Sequence, residues 1–245
     1  MANNGKLIIP GKNRKPEIHP LVGVPLERQV SCEAFTHFWE IARRGWPLIH
    51  RPYARTDVNR NEFGRFMLDN PEFTHLVMLD LDHRHPYNIV EQLLRWADVD
   101  SERYQVVGGL NFRRSAPYNP CAFQRGPDGF LHFPIEWQKE SIVRVDAIGH
   151  GSLMVAREVF ERIPPPWWKY EYSEWSDGEN ELYPSKDVYF CRLLNEHGIN
   201  IWCDTTVTSP HLTTSQIDET VFRACLRENP PKKVHHAEVR SSMAL

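Results

Sequence analysis

The sequence predicts an α/β fold of three layers, helices on both faces of a mostly parallel central sheet. Three observations carry that expectation. Apolar runs of strand length alternate with helix-periodic segments from position 19 to position 110. The run THLVML at 74–79 is continuously apolar, as strands covered on both faces are. With 245 residues, 41% apolar and 25% charged, the chain is long enough to bury a sizeable core.

The elements follow in order. HPLVGVPL (19–26) reads as the first strand. Ser31 is a good N-cap for a helix that turns Phe35, Phe38, Trp39 and Ala42 inward. WPLIHRPY (46–53) is a second strand, and a helix near 57–69 places Val58, Phe66 and Met67 inward. After the strand at 74–79, Pro86 suits the first turn of a helix on which Ile89, Val90, Leu93, Leu94 and Ala97 repeat at helical spacing. YQVVGGL (104–110) is a fourth strand. Beyond it the pattern changes. GPDG between two short apolar-aromatic runs predicts a hairpin. SIVRVDAIGHGSLMVA (141–156) reads as two strand segments joined through Gly149, His150 and Gly151. Residues 164–184 are too rich in Pro, Gly and polar residues for regular structure. Their aromatics, Trp167, Trp168, Tyr170, Tyr172 and Trp175, suit either a lid over a ligand or a packed surface flap. Ser185 caps a helix with Val188, Cys191 and Leu194 inward and Gly198 past its end. INIWCDTTV is a strand, and 217–228 is a last helix.

The expected organisation is a basic arm over 1–18, one catalytic domain over 19–228 with halves at 19–110 and 111–228, and a loosely held tail over 229–245. The arm carries Lys6, Lys12, Arg14 and Lys15. The net charge of −3 advertises no global field for nucleic acid or membrane. Five cysteines without a CxxC pair point to reduced thiols in a cytoplasmic setting. No apolar run approaches the ~20 residues that span a bilayer.

The chemistry concentrates where an apolar strand runs into Asp80-Leu81-Asp82-His83. In open α/β sheets ligands bind outside the carboxyl ends of strands. Residues i and i+2 of a strand project to one side, so both carboxylates can face one ligand. Two such acids suit a divalent cation, Mn²⁺ or Mg²⁺; the alternative is that they cap the strand and the next helix. His83 and His85 read as hydrated loop histidines. Asp187 lies in a first helical turn, where the helix dipole favours an acid; the alternative is a general base. His211, just beyond a strand, is either structural or a ligand to a cation that the acids hold.

Four segments in this order resemble the GT-A glycosyltransferases, and among them the compact family-2-like members of bacteria and phages: LVGVP, HLVMLDLD, VDAIGHGSLMVAREVFERI, and SKDVYFCRLLNEHGINIWCDTTVTSPHL. The resemblance spans about residues 20 to 212. It implies a nucleotide-diphosphate sugar as donor and an acceptor hydroxyl. Asp80 would contact the ribose or a metal-bound water, Asp82 would ligate the cation, and His211 would complete the protein's share of its shell. Asp187 would be the base of an inverting displacement. Pro25 would lie against the nucleobase, Arg55, Arg60 or Asn61 near the nucleotide, and Gly151 near the donor sugar. Lys186 stands where the family often has a glutamate. Saccharide, protein, lipid-linked sugar or modified DNA base would all fit as acceptor.

Two other classes compete. A haloacid-dehalogenase-type phosphatase also starts its chemistry at a DxD after an apolar strand, but usually near the N-terminus and followed by a small residue, not His83-Arg84. A non-catalytic sugar-nucleotide-binding module draws on Lys186. A nucleotidyltransferase would share the nucleotide-binding architecture.

Overall fold

The computed structural model describes residues 17–26, 30–52, 54–127, 131–132, 137, 141–171, 185–213 and 216–228. The basic arm before residue 17, the tip of the GPDG turn, Tyr172, Trp175 and the C-terminal tail lie outside them.

The chain runs through β1 (Pro20–Leu26), α1 (Cys32–Ala42), β2 (Leu48–Pro52), α2 (Thr56–Asp69), β3 (His75–Leu79), α3 (Ile89–Val99) and β4 (Val106–Leu110). There follow β5 (Ala122–Arg125), β6 (Leu131–His132), β7 (Ile142–Val145), β8 (Ala147–Ile148), β9 (Ser152–Ala156), α4 (Arg157–Arg162) and α5 (Lys186–Glu196). The last elements are β10 (Ile201–Thr208), β11 (His211–Leu212), β12 (Gln216–Ile217) and α6 (Glu219–Glu228).

Seven strands form the central sheet in the order β2-β1-β3-β9-β4-β10-β7. The pairs β2/β1, β1/β3 and β4/β10 are parallel, whereas β9 and β7 run against their neighbours. Two cores flank the sheet, and β3 shows why. Leu76 and Met78 pack with Phe63 and Met67 of α2, Phe160 of α4 and Phe190 of α5 on one face. Val77 and Leu79 pack with Ala34 and Ile41 of α1 and Ile89 and Leu93 of α3 on the other. A strand whose alternate residues both meet apolar neighbours must be apolar throughout, as THLVML is. The three-layer α/β expectation therefore stands, and β5 and β6 form the expected hairpin.

Several local expectations are corrected. On α1, Phe35 and Trp39 stack on each other at 6.3 Å and are 60% and 59% exposed, while Ala34 and Ile41 face the sheet. The small Ala34 lets the helix approach closely; the larger aromatics one position on are turned outward. Val58 is likewise exposed, and the buried stripe of α2 is Arg60, Phe63, Gly64 and Met67. Pro86 precedes α3 instead of sitting in it: Asn88 takes the N-cap position, and the Ile89 amide bonds the Pro86 carbonyl at 3.0 Å. All five predicted inward residues of α3 are buried. The two halves of 141–156 separate after Ile148: β8 pairs with β5 in a small sheet, while β9 inserts antiparallel between β3 and β4.

Candidate functional site

The carboxyl ends of β1, β3, β4 and β10 and the start of the antiparallel β9 lie along one edge of the sheet. The Asp80 amide donates to the Gly151 carbonyl at 2.9 Å, tying the segment after β3 to the turn before β9. Two clusters of titratable side chains form here.

The first is Asp82, His83 and His211. Two backbone bonds clasp their loops together, from the Arg84 amide to Pro210 O at 2.8 Å and from the Leu212 amide to Asp82 O at 2.7 Å. The His83 and His211 rings pack at 3.7 Å between centroids. His83 Nδ1 bonds Asp82 Oδ1 at 2.9 Å, and His211 Nε2 lies 4.0 Å from Asp82 Oδ2. The three residues offer one ligand atom each within 4.8 Å of one another, a spacing suited to a metal ion. Burial alone would raise the Asp82 carboxyl; the His83 hydrogen bond, His211 and the exposed Arg114, 3.1 Å from Oδ2, hold it well below the usual carboxylate range. Burial and the neighbouring His83 lower His211 to about 4.

The second cluster centres on Arg60, whose side chain is wholly buried. Asp80 continues the even-numbered side of β3 beyond Met78, and that side faces α2. Arg60 heads the buried stripe of α2, and Asp187 heads the stripe of α5 that continues through Phe190, Cys191 and Leu194. The guanidinium joins the two: one terminal nitrogen meets both Asp80 oxygens at 2.8 and 3.0 Å and the other bonds Asp187 Oδ1. Asp187 also meets Lys186 Nζ at 3.0 Å, the His150 ring at 3.3 Å and the His150 amide at 3.2 Å. Burial would raise the Asp187 carboxyl, but Arg60, His150 and Lys186 together hold it far below its ordinary value. His150 accepts from Trp168 Nε1 at 3.0 Å, and burial lowers its pKa to about 3.

The remaining candidates divide. Pro25 is buried at the end of β1. Arg55 is exposed, bonded to both Asp57 oxygens at 3.0 and 2.6 Å, and lies over the Tyr170 ring. Arg60 and Asn61 have little or no surface for a nucleotide, at 0% and 8% exposure. Asn61 is spent on the Asp57 and Trp168 carbonyls and the Trp167 amide, so both side chains brace the site from behind. Gly151 lies against His83: a β-carbon there would come within 2.6 Å of His83 Nε2. His83 and His85 are corrected from hydrated loop positions to buried ones. Trp167 and Trp168 are core residues packed on Phe160, not lid residues; Tyr170 is exposed. Asp204 of β10 is buried and straps that strand to α3 through Arg95 and Trp96.

Of the missed roles, Arg60 as a bridge and His83 and His150 as buried imidazoles, only the first had a signal in the sequence. Arg60 shares helical register with Phe63 and Met67, so a charge was already due to be buried there and had to be paired.

No protein-family model matches this chain, and no curated protein sequence does. Solved structures do match. A197 from STIV superposes with a TM-score of 0.56 at 16% identity over 80% of this chain and 86% of its own. GalNAc-T7, crystallised with UDP, GalNAc and Mn²⁺, superposes with a TM-score of 0.54 at 9% identity over 80% of this chain. This chain spans 43% of the GalNAc-T7 chain. Among the described residues no helix is long and apolar enough to cross a membrane. With its mixed seven-stranded sheet, its acids at a strand's carboxyl end and these structural neighbours, the chain has the GT-A glycosyltransferase fold.

Proposed function

We propose that this protein is a metal-dependent glycosyltransferase that moves a sugar from a nucleotide-diphosphate sugar to an acceptor hydroxyl. The observation that carries the reading is the meeting of Asp82 with His211, from widely separated segments of the chain, at the carboxyl edge of the sheet. The donor set fits a divalent cation, because a held-ionised carboxylate stands beside an imidazole whose Nδ1 is spent on the Phe112 carbonyl, leaving Nε2 its lone pair. When bound there, Mn²⁺ or Mg²⁺ supplies positive charge against the charge growing on a diphosphate leaving group. Asp82 and His211 hold that position. Arg60 holds both oxygens of Asp80, whose side chain stays partly open to solvent beside that position.

For Asp187 the surroundings favour an anchor over a base. A general base works best with a pKa near the working pH. A carboxylate gripped by a guanidinium, an ammonium and the His150 amide is a weak proton acceptor. In this reading Asp187 positions Arg60 and His150; the inverting displacement expected from the sequence then requires that an incoming acceptor draw Lys186 and Arg60 off its oxygens.

Turnover of a panel of sugar nucleotides with Mn²⁺ tests the proposal. Release of a nucleoside diphosphate, accelerated by the right acceptor, supports it. Phosphate release from a simple phosphomonoester would instead support a phosphatase, and binding without turnover a carrier module.

A further inference from the structure

We propose that Arg114 is a movable ligand for the diphosphate of the sugar nucleotide: it pairs with Asp82 until a cation takes that carboxylate, and then crosses to the phosphates. The inference rests on the metal-dependent reading above and deepens it.

Arg114 belongs to the loop between β4 and β5, whose base is fixed by backbone bonds. The Cys121 amide donates to Asn111 O at 2.8 Å and the Arg113 amide to Asn119 O at 2.9 Å. Phe112 and Tyr118 pack on the core, Tyr118 in the left-handed region at φ 56°, so both arms of the loop are tied down. The stretch from Arg113 to Ala116 is exposed. Phe112 also supplies the carbonyl that Nδ1 of His211 bonds. One loop therefore orients His211 and, two residues on, sets a guanidinium beside the same carboxylate.

The contact falls on one oxygen. Arg114 reaches Asp82 Oδ2 at 3.1 Å, and His211 Nε2 lies 4.0 Å from that atom, while His83 takes Oδ1 at 2.9 Å. A cation between Asp82 and His211 needs Oδ2, so it and Arg114 compete for it. Among the described residues Arg114 is the only arginine or lysine paired with Asp82, and an arginine keeps its charge at any working pH. A dication and a guanidinium on one carboxylate carry more positive charge than it offsets, and they repel. The guanidinium is the one that can leave. Its side chain is more than half exposed, and exposed ion pairs are weak. Arg60 cannot take this part, because it is wholly buried and committed to Asp80 and Asp187.

A sugar nucleotide supplies the destination. Its diphosphate brings anionic oxygens to the cation, and a planar guanidinium matches phosphate oxygens in pairs. The exchange couples the two ligands: the cation frees Arg114 for the phosphates, and the phosphates draw off the guanidinium that opposes the cation.

The test titrates the full chain with Mn²⁺ alone, read by EPR of the free ion, and then with UDP, GDP, CDP and ADP at saturating Mn²⁺, read by calorimetry. Arg114→Gln should move the two affinities in opposite directions. Mn²⁺ alone should bind ~3-fold tighter or more, because its competitor is gone. The nucleotide that binds the wild type best should bind ~10-fold weaker or more, because a charge-assisted bond to phosphate is lost. Arg114→Lys should keep part of the nucleotide affinity, and Arg113→Gln, exposed on the same loop, should change neither value. Equal or weaker Mn²⁺ binding in Arg114→Gln overturns the proposal, and so does undiminished nucleotide binding. A loss in Arg113→Gln as large as in Arg114→Gln also overturns it, since that marks a general field and not a contact. Each of these results leaves the metal-dependent reading standing, because the wild type still binds nucleotide through Mn²⁺. A wild type that binds none of the four with Mn²⁺ removes that reading and the proposal together.

Discussion

Arg60→Met probes the bridge under the site. The guanidinium has no solvent exposure and neutralises Asp80 and Asp187 at once, with a further bond to the His150 carbonyl at 3.2 Å. Burial alone would lower its pKa, but the two carboxylates outweigh burial and keep it charged. Removing one partner of a buried ion network costs roughly 3–5 kcal/mol, because the charges left behind are uncompensated. Two features set the lower end here. Asp187 keeps Lys186 and His150, and Asp80 retains 23% side-chain exposure, so water recovers part of the loss. About 3 kcal/mol remains, which for a chain of this size lowers Tm by roughly 6–12 °C. Calorimetry, with its two-state check, measures it. Arg60→Lys should recover only part, since an ammonium cannot fork between two carboxylates. Asp187→Asn combined with Arg60→Met should cost less than the sum of the two singles. A drop in Arg60→Met under about 2 °C, or full additivity, would refute the bridge as a structural element.

Other outcomes follow from the same geometry. Asp187→Asn should lower both stability and donor affinity if the residue anchors Arg60; loss of transfer with Tm and donor binding intact would restore it as the base. Gly151→Ala should destabilise the fold by roughly 1–3 kcal/mol by pressing on the His83 ring, read by calorimetry, and an unchanged Tm would show that the ring has room to move. Acid should destabilise the fold. Burial lowers His75 to about 4, and burial together with His83 lowers His85 to about 3. The folded values lie below the unfolded value near 6.5, so the unfolded chain binds more protons as pH falls from about 6.5 toward 4, and stability falls with it. His75→Gln should flatten the slope of urea midpoint against pH in that window, and an unchanged slope would remove His75 from the linkage.

What was legible in the sequence were features written in local periodicity. The apolar run before Asp80 marked β3 and its two-sided burial, and the spacing of Ile89, Val90, Leu93, Leu94 and Ala97 gave the inner face of α3 residue by residue. Ser185 and Gly198 bounded α5, with Ser185 Oγ accepting from the Val188 amide and Gly198 at φ 68°. Less legible were features that depend on distant partners. Phe35 and Trp39 looked inward on hydrophobicity, yet the tighter approach of Ala34 to the sheet decided the face of α1. The antiparallel seat of β9 between β3 and β4 is a tertiary choice that its sequence, apolar on both sides, permits but does not dictate. Asp80 and Asp82 looked like one unit at i and i+2. Arg60 separates them, because its place in the α2 stripe follows from helical register while its two acids lie 20 and 127 residues further along the chain.

The central claim is that Asp82, with His211, holds a divalent ion through which a nucleotide-diphosphate sugar is engaged. Calorimetric titration of sugar nucleotides with and without Mn²⁺, in the wild type and in a folded Asp82→Ala variant, tests it most directly. One donor binding tightly to the wild type only with Mn²⁺, and to the variant not at all, is the predicted result. Equal donor binding in both proteins, or binding indifferent to the cation, would contradict it.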